Sequence, residues 1–257
     1  MKKCELIIID PQIDFCSPEG TLYINKADQD MLRLSDMLFK IIVEPENISF
    51  QLDDIHVSLD SHHPMSIFHP PFWHNKNGKW PKAFTVITED DVKNKKWIPF
   101  NPLFTGLSLE YIEKNSLCIW PLHCLIGSEG FSIYPNLFNK LTQWEIYKKA
   151  VVNYISKGDN LFCEQFSAVK KDDNSFEQML EKSDIVGIAG EAGSHCVIAT
   201  VRDIYDSLKN KELIKKLVWI EDAISPVPGF ENLQKEGIIE MTKKGMQVSN
   251  TIDFLTI

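Results

Sequence analysis

Residues 185–208, IVGIAGEAGSHCVIATVRDIYDSL, contain the pattern that decides the fold. The apolar run Ile185–Ala189 is short and uninterrupted, which predicts a buried strand. After the turn formed by residues 190–196, apolar residues recur at helical spacing, so Ser194–Leu208 is predicted to be a helix. A buried strand that leads directly into a helix is the repeating unit of a parallel sheet covered by helices.

The same alternation of strands and helices extends over most of the chain. We therefore expect a three-layer α/β/α sandwich in which a mostly parallel central sheet lies between helices, and we expect residues 1–257 to form one domain. The other predicted strands are Glu5–Ile9, Ile55–Leu59, Val151–Ile155, Leu217–Ile220 and Met246–Ser249; the other predicted helices are Ala27–Val43, Asn136–Trp144, Ser175–Glu181 and Glu231–Lys244.

One long stretch, residues 61–118, interrupts this regular pattern. Long segments without periodicity are usually either functional or disordered, and aromatic residues are uncommon in disordered segments. We therefore predict an irregular but ordered excursion that walls a pocket. Its prolines are Pro64, Pro70, Pro71, Pro81, Pro99 and Pro102, and its interleaved aromatic residues include Phe68, Phe72, Trp73 and Trp80.

The composition argues against several kinds of partner. The net charge is −9 and the pI is about 5.3, so neither a nucleic acid nor an anionic membrane is expected as the main partner. No apolar run reaches the roughly 18 residues of a transmembrane helix, and no signal-peptide pattern is present. The six cysteines form no CxxC pair, which is typical of reduced thiols in a cytoplasmic protein.

Four chemically reactive segments follow predicted strands. Asp10, Asp60, Lys157 and the turn at residues 190–196 each come directly after a strand. The carboxyl ends of parallel strands meet at one edge of a sheet, where the ligands of such folds bind. The sequence therefore predicts an active site at that edge.

Cys196 is the first candidate for a catalytic residue. If Ser194 caps the helix, Cys196 lies in its first turn, where the helix dipole and free N–H groups would lower the pKa of the thiol. The same N–H groups can hold an oxyanion. The alternative is a small buried core residue, which is what most free cysteines are.

Asp10 and Lys157 are candidates for the groups that assist Cys196. A carboxylate at the end of an apolar strand is either a cap for the next turn or a catalytic base, and the residue alone does not decide between them. Lys157 also stands where a strand ends, but a surface lysine is the more common interpretation.

A metal site is a further candidate. Asp60 and His62, together with His123, would supply the mixed oxygen and nitrogen ligands that zinc and similar ions prefer. Three other histidines lie nearby in the sequence, so spacing alone does not choose the ligands. They are His63, His69 and His74.

Taken together, these segments resemble the nicotinamidase/isochorismatase-like cysteine hydrolase family over most of the chain. The matching stretches are Ile7 to Phe15 (IIIDPQIDF), which resembles the opening strand and DxQxDF turn; Leu59 to His62 (LDSH), which resembles the DxH metal motif; Trp120 to Cys124 (WPLHC), which resembles the WPxHC segment; Ser156 to Gly158 with Glu164 to Ala168, which resemble the stretch that carries the catalytic lysine; and Gly190 to Val197, which resembles the GxAxxxCV nucleophile turn.

The resemblance implies a role for each of these segments. It implies a catalytic triad of Asp10, Lys157 and Cys196, with the N–H groups of Ala192 and Cys196 as oxyanion hole. It also implies a cis peptide bond between Glu191 and Ala192. The implied metal ligands are Asp60, His62 and His123, and the implied substrate-binding residues are Phe15, Trp120 and His195.

The chain departs from the family pattern at several positions. Glu191, Gly193 and His195 stand where relatives often have an aliphatic residue, threonine or an aromatic residue, and the region around residues 64–118 is longer than in compact members. None of these departures affects the three implied catalytic residues, but they leave the substrate open.

The implied activity is hydrolysis of a small aromatic carboxamide through a cysteine thioester, with nicotinamide giving nicotinate and ammonia as the leading case. The implied cofactor is one divalent metal ion, zinc first, with iron or manganese as alternatives. Two other interpretations remain open. One is another small-amide or ureido hydrolase of the same family, and the other is a catalytically silent binding or oligomerisation module. Assembly into a homo-oligomer also remains open.

Overall fold

The computed structural model describes residues 1–115, 117–170 and 174–257. Within these residues, ten strands form one large sheet and two small ones. In chain order they are β1 (Lys2–Ile9), β2 (Phe50–Asp60), β3 (Trp73–His74), β4 (Val86–Ile87), β5 (Ile98–Pro99), β6 (Leu117–Cys118), β7 (Asn153–Lys157), β8 (Ile185–Gly190), β9 (Leu217–Ile220) and β10 (Gln247–Ser249).

The large sheet has six strands in the order β10-β9-β8-β1-β2-β7, and every neighbouring pair is parallel. The central strands are almost continuously apolar because helices cover both faces of the sheet. All six residues of β8 are buried, as are the last six of the eight residues of β1, from Cys4 to Ile9.

Helices connect these strands and form the two outer layers. Crossovers between parallel strands are right-handed. Connections that run along the sheet in opposite directions therefore place their helices on opposite faces. Accordingly, α2 packs against α5, while α7 packs against α6 and α8. The predicted three-layer α/β/α sandwich is confirmed. The helices are α1 (Ile13–Cys16), α2 (Ala27–Val43), α3 (Glu89–Lys93), α4 (Thr105–Lys114), α5 (Pro135–Lys148), α6 (Ser175–Lys182), α7 (Ile198–Ser207) and α8 (Glu231–Lys244).

The strand order reverses between β1 and β8. From β1 the chain moves to β2 on one side, whereas from β8 it moves to β9 on the other. The connections therefore diverge above these two strands and leave a crevice beyond their carboxyl ends, which is where ligands bind in such sheets. Asp10 and the turn that carries Cys196 both leave the sheet at this point.

Most predicted elements of the sheet and its helices are confirmed, several with the same bounds. The helices Ala27–Val43 and Glu231–Lys244 and the strand Leu217–Ile220 begin and end as predicted. The predicted helix Ser194–Leu208 is different at its start. A wider π-helical turn occupies Gly193–Val197, and the α-helix begins only at Ile198.

The predicted excursion at residues 61–118, of which residue 116 lies outside the described part, is ordered but more regular than expected. It contains α3 and α4 and two small antiparallel sheets, β3 with β5 and β4 with β6. Thr88 and Asp91 form a capping box at the start of α3, a sequence signal that predicts a helix start. The excursion has a hydrophobic cluster of its own, formed by Ile67, Phe68, Phe72, Trp73, Ile87, Val92, Ile112, Leu117 and, from the segment that follows, Ile119 and Trp120.

In the described parts of the chain, none of the helices combines the length and the apolar character needed to cross a membrane.

Candidate active site

Four strand ends bring the predicted reactive residues to one rim of the sheet. Ile9, directly before Asp10, pairs with Gly190, and Asp60 pairs with Lys157. Because all four strands run in parallel, the side chains that follow them lie next to one another. The clustering predicted from the sequence is found.

Lys157 lies at the centre of this cluster and is buried. Its Nζ is 2.7 Å from Oδ2 of Asp10, 2.5 Å from Oδ1 of Asp60 and 3.6 Å from Sγ of Cys196. Burial lowers the pKa of Lys157, but the two carboxylates outweigh burial and hold the pKa well above its ordinary value. The side chain is therefore a charged ammonium, and the surface-lysine alternative is wrong.

Asp10 is fully buried and turns the chain sharply at the end of β1. Its φ of 44° lies in the left-handed region that non-glycine residues rarely adopt. The Ser58 hydroxyl donates a hydrogen bond of 2.6 Å to Oδ1. Burial raises the pKa of Asp10 to about 6 against the opposing effect of Lys157, and the negative charge of Asp60 adds to the increase. A carboxyl group of this kind can both accept and return a proton near neutral pH.

The thiol of Cys196 is 6% exposed and contacts both charged partners. Lys157 donates to Sγ, and the thiol is hydrogen-bonded to the Asp10 carboxyl group. The sequence predicted a lowered pKa for this thiol, and that prediction is wrong. Burial raises the pKa of Cys196 well above its ordinary value, and the Lys157 ammonium is the group that opposes this increase.

The turn between β8 and Cys196 has the backbone geometry that the resemblance implied. The Glu191–Ala192 peptide bond is cis. Gly190 has a φ of 108°, and a Cβ at this position would lie 2.1 Å from the carbonyl oxygen of Ile9, so only glycine fits there. Within the described residues, the Ala192 N–H makes no backbone hydrogen bond, which leaves it free for an oxyanion.

Ser194 does not cap the helix, contrary to the prediction from the sequence. Its hydroxyl accepts a hydrogen bond of 3.0 Å from the Val227 N–H and lies 2.8 Å from Nδ1 of His195. Ala192 occupies the N-cap position and provides no side-chain hydrogen bond. A tertiary contact explains the difference. The Ser194 hydroxyl accepts from a distant segment and not from an N–H group at the start of the helix.

The three predicted metal ligands are brought together beside Lys157. One ligand atom each from Asp60, His62 and His123 lies within 4.8 Å of the others, and all three side chains are buried. Nε2 of His62 is 3.3 Å from Oδ2 of Asp60. A carboxylate oxygen and two imidazole nitrogens form the donor set that zinc prefers at sites with open positions. The residues present therefore fit a divalent ion.

Backbone carbonyl groups fix the orientation of both imidazole rings. Nδ1 of His62 donates to the Gly158 carbonyl at 2.9 Å, and Nδ1 of His123 donates to the Pro121 carbonyl at 2.8 Å. Each ring therefore presents its Nε2 lone pair, as metal-binding histidines do. Burial lowers the pKa of His123 to about 3, which keeps this ligand neutral.

The other nearby histidines do not join this group. His69 is fully buried behind His123, with its Nε2 3.3 Å from Nδ1 of His123 and its Nδ1 donating to the His63 carbonyl at 3.0 Å. His63 is exposed, and Nδ1 of His74 pairs with the Asn75 carbonyl. His69 thus supports His123 from behind, a role that sequence spacing did not reveal.

A second set of possible ligand atoms, from Asp10, Asp60 and Cys196, also lies within 4.8 Å. The ammonium of Lys157 already occupies the position of a cation between them, at 2.5 to 3.6 Å. A metal ion there would face strong repulsion from this buried positive charge. A divalent ion therefore fits the Asp60, His62 and His123 group and does not fit this second set.

A small cavity opens beside Cys196 and the predicted metal ligands. The three predicted substrate-binding residues, Phe15, Trp120 and His195, all line it. The ring of His195 packs edge-on against Trp120 at a centroid distance of 5.5 Å and lies 4.8 Å from the ring of Phe230. The other lining residues are Leu22, Ile24, Asp60, His62, Phe68, His123, Glu164, Gln165, Phe166, Ala192, Cys196 and Val227. The cavity is therefore narrow, largely apolar and rich in flat side chains.

Glu164 is a polar group of this cavity for which the sequence predicted no role. Its Oε1 accepts a hydrogen bond from the indole N–H of Trp120. Burial raises the pKa of Glu164 to about 8, so the side chain is largely neutral at pH 7. The sequence did carry a signal for such a role. Glu164 lies seven residues after Lys157, in the stretch that resembles the segment with the catalytic lysine.

Gln12 and Asp14 connect the strand ends, which explains why they follow Asp10 in the sequence. The side-chain amide of Gln12 donates to the Asp60 carbonyl at 2.8 Å and accepts from the Asp60 N–H at 2.7 Å. The Asp14 carboxylate accepts from the Cys124 N–H at 2.7 Å. The turn after β1 therefore holds Asp60 directly and His123 through the adjacent residue.

Comparison with known proteins gives a clear result for structure only. No family model matches the chain, and no curated protein matches it by sequence. It is similar to the structure of a nicotinamidase/pyrazinamidase from Acinetobacter baumanii, with a TM-score of 0.65, 18% identity and 99% of each chain covered. It is also similar to the yeast nicotinamidase bound to the inhibitor nicotinaldehyde, with a TM-score of 0.63, 20% identity, and 96% of this chain and 99% of that chain covered.

A third similar structure is the pyrazinamidase of Pyrococcus horikoshii in complex with zinc, with a TM-score of 0.55, 16% identity, and 96% of this chain and 98% of that chain covered. Identities this low establish the fold alone. The chain thus has the fold of nicotinamidases and pyrazinamidases, and the fold implied by the resemblance is confirmed.

Proposed function

Starting from the fold that this chain shares with nicotinamidases, we propose that it is a metal-assisted cysteine amidohydrolase that cleaves a small aromatic carboxamide. The leading substrate is nicotinamide, which would give nicotinate and ammonia. The observation that carries the proposal is the buried contact of Lys157 with both Asp10 and Cys196, beside the cavity. A buried thiol, carboxyl group and ammonium in mutual contact are what a cysteine nucleophile with its proton acceptor requires.

Asp10 accepts the proton of Cys196, and the Lys157 ammonium stabilises the resulting thiolate. The pKa of Asp10, raised to about 6 by burial, makes it a useful proton acceptor at neutral pH. The thiolate sulfur forms a bond to the carboxamide carbon, and the carbonyl oxygen becomes an oxyanion. The N–H groups of Ala192 and Cys196 hold this oxyanion.

Asp10 also serves the two later steps. The C–N bond breaks as protonated Asp10 donates its proton to the departing nitrogen, which leaves as ammonia. Asp10, ionised again, removes a proton from a water molecule, and the resulting hydroxide attacks the thioester carbon. The C–S bond then breaks, the acid product leaves, and the proton returns to Cys196.

Asp60, His62 and His123 would hold one divalent metal ion, with zinc as the first choice. When bound, the ion supplies a Lewis acid at the wall of the cavity that can engage a water molecule or a ring nitrogen of the substrate. Similarity to a pyrazinamidase that is in complex with zinc supports this assignment. Of the three ligands, Asp60 alone also contacts Lys157, so the metal site and the triad share one carboxylate.

The walls of the cavity favour a flat aromatic ring. Phe15 and Trp120 flank the space in front of Cys196, and His195 closes part of its rim. Similarity to a nicotinamidase that binds nicotinaldehyde supports a pyridine ring in this position. Another small amide or a ureido compound is the alternative substrate class, and a silent binding module is the alternative to an enzyme.

Ammonia release measured over a panel of compounds tests the proposal. The panel contains nicotinamide, benzamide, an aliphatic amide and a ureido acid, each incubated with the metal-loaded protein. We expect the highest kcat/KM for nicotinamide. Turnover of the ureido or aliphatic compound alone would replace the proposal with the other hydrolase class. Absence of turnover, together with slow alkylation of Cys196 by a thiol reagent, would favour the binding module.

A further inference from the structure

The nucleophile turn rests on a buried pair of carboxyl groups, Glu191 and Asp30, that the proposed mechanism does not use. Glu191 directly precedes Ala192 and is fully buried, while Asp30 lies in the first turn of α2 and is 2% exposed. The two carboxyl groups face each other within hydrogen-bonding range, and Asp30 also faces the side chain of Ser225. Two ionised carboxylates offer only acceptors, so a hydrogen bond between them requires a proton.

Two of the four carboxyl oxygens of this pair accept hydrogen bonds from identified donors, and the other two do not. Oε2 of Glu191 accepts from the Ser225 N–H at 3.2 Å, and Oδ1 of Asp30 accepts from the guanidinium of Arg33. The two remaining oxygens, Oε1 of Glu191 and Oδ2 of Asp30, are buried and meet no N–H or O–H donor among the described residues. A proton held between these two oxygens satisfies both of them.

The surroundings of the pair supply too little positive charge for two ionised carboxylates. In the described part of the chain, Arg33 on α2 is the cation in contact with the pair, and it forms an ion pair with Asp30. The neighbouring thiol of Cys16 on α1 feels the negative charge of Glu191 and Asp30, and its pKa is raised well above its ordinary value, chiefly by burial. Burial and the charge of Asp30 likewise raise the pKa of Glu191 well above its ordinary value.

The pair connects three segments around the reacting end of the turn. Asp30 belongs to α2, Glu191 belongs to the nucleophile turn, and Ser225 belongs to the segment after β9. That segment is joined to the turn twice more, by the Gly193 N–H to the Ser225 carbonyl at 2.8 Å and by the Val227 N–H to Ser194 at 3.0 Å. These two bonds hold the turn after Ala192, whereas the carboxyl pair supports the Glu191–Ala192 peptide, so loss of the pair would loosen the peptide that presents the Ala192 N–H.

We propose that Glu191 and Asp30 share one proton and that this singly protonated pair positions the nucleophile turn for reaction. Glu191 is one of the positions at which the chain departs from the family pattern, so the arrangement belongs to this chain's own sequence. The proposal rests on the proposed function only in treating Ala192 and Cys196 as the reacting end of the turn. The shared proton itself can be tested without any substrate.

Proton release on unfolding at pH 7 tests the shared proton, with Asp30→Asn as the variant. In the unfolded chain both carboxyl groups are ionised at this pH, so unfolding the wild-type protein releases the shared proton. The introduced asparagine can accept from Arg33 through its oxygen and donate to Glu191 through its nitrogen, so no proton is needed. We expect the variant to release about one proton fewer than the wild type.

The pH dependence of stability gives the same test with a defined sign. The folded wild-type protein holds the extra proton, so its free energy of unfolding, relative to that of Asp30→Asn, falls as the pH rises above about 4. Glu177→Gln is the matched control, because the buried Glu177 carboxylate accepts a hydrogen bond from the Lys209 N–H at 2.7 Å. We expect this control to release as many protons as the wild type.

The positioning role is tested by comparing Asp30→Asn with Asp30→Ala in the nicotinamide assay. The asparagine variant should keep kcat within about threefold, whereas the alanine variant should lose kcat on the order of 10²-fold with little change in KM. Wild-type proton release from Asp30→Asn, or wild-type kcat in Asp30→Ala, would overturn the proposal. If Asp30→Ala does not fold, the proton count of Asp30→Asn decides. If the wild-type protein does not hydrolyse nicotinamide, the proposed function fails while the proton count still decides the shared proton.

Discussion

The ammonium group of Lys157 lies 3.6 Å from the sulfur of Cys196, and both side chains are buried under the rim of the central sheet. The same ammonium also contacts the carboxylates of Asp10 and Asp60. One buried cation thus contacts two carboxylates and is the group next to the thiol that favours its ionised form. Lys157 therefore links the stability of the site to its chemistry.

Replacement of Lys157 by methionine tests this double role. Without the ammonium, the fully buried Asp10 loses its charged partner, a situation that typically costs about 3–5 kcal/mol of stability. Lys148→Met is the control, since Lys148 pairs with Asp53 at a partly exposed site where a loss of about 0–1 kcal/mol is typical. Urea denaturation measures both values. Equal destabilisation by the two substitutions would contradict the central position of Lys157.

Metal binding should depend on His123 and not on the other histidines nearby. The His123→Ala variant loses one of three ligands, and we expect it to lose stoichiometric zinc in elemental analysis after dialysis. The His63→Ala and His74→Ala variants should retain the metal, because His63 is exposed and His74 pairs with the Asn75 carbonyl. Full metal content in His123→Ala would mean that the site uses a different histidine.

Activity should fall at acidic pH because Asp10 must be ionised to accept the proton of Cys196. The pKa of Asp10 is raised to about 6, chiefly by burial. As the pH falls through this value, Asp10 becomes protonated and kcat/KM should decrease about tenfold per pH unit. The acidic side of the pH profile reflects the coupled titration of Asp10 and Cys196, so its midpoint is a property of both groups.

Measurement of kcat/KM from pH 4 to pH 8, with metal content checked at each pH, tests this expectation. A constant kcat/KM down to pH 4 in a protein that keeps its metal would show that Asp10 is not the proton acceptor.

The sequence predicted the fold well because the signals for it are local. Uninterrupted apolar runs such as Ile185–Ala189 mark strands that are buried on both faces, and helical spacing marked α2 and α8 almost to the residue. The carboxyl ends of the strands then placed Asp10, Asp60 and Lys157 together without any knowledge of their contacts.

The errors concern properties that depend on contacts between distant segments. Ser194 was expected to cap a helix, but Val227 uses its hydroxyl. The thiol of Cys196 was expected to have a lowered pKa, but burial, which the sequence does not reveal, reverses the direction. Helix α4 was missed because the surrounding prolines and aromatic residues obscured its spacing. The support of His123 by His69 depends on folding of the excursion over the site.

Discrimination between nicotinamide and benzamide tests the part of the metal site in substrate recognition. The two compounds differ at the ring nitrogen, which the metal-loaded site can engage. Water can remain on the metal when benzamide binds, so we expect a preference for nicotinamide on the order of 10²-fold in kcat/KM. The preference should shrink in His123→Ala, where both rings meet the same apolar walls. Equal kcat/KM values for the two compounds with the metal-loaded wild-type protein would refute recognition through the metal.

The central claim is that Cys196 attacks a carboxamide, and the rate of ammonia release from nicotinamide tests it most directly. The assay compares the metal-loaded wild-type protein with Cys196→Ala at equal metal content and pH. The sulfur is required for thioester formation, so the wild-type protein should release ammonia steadily while the variant, folded and metal-loaded, should lose at least about 10³-fold in kcat. Ammonia release by Cys196→Ala at the wild-type rate would contradict the account.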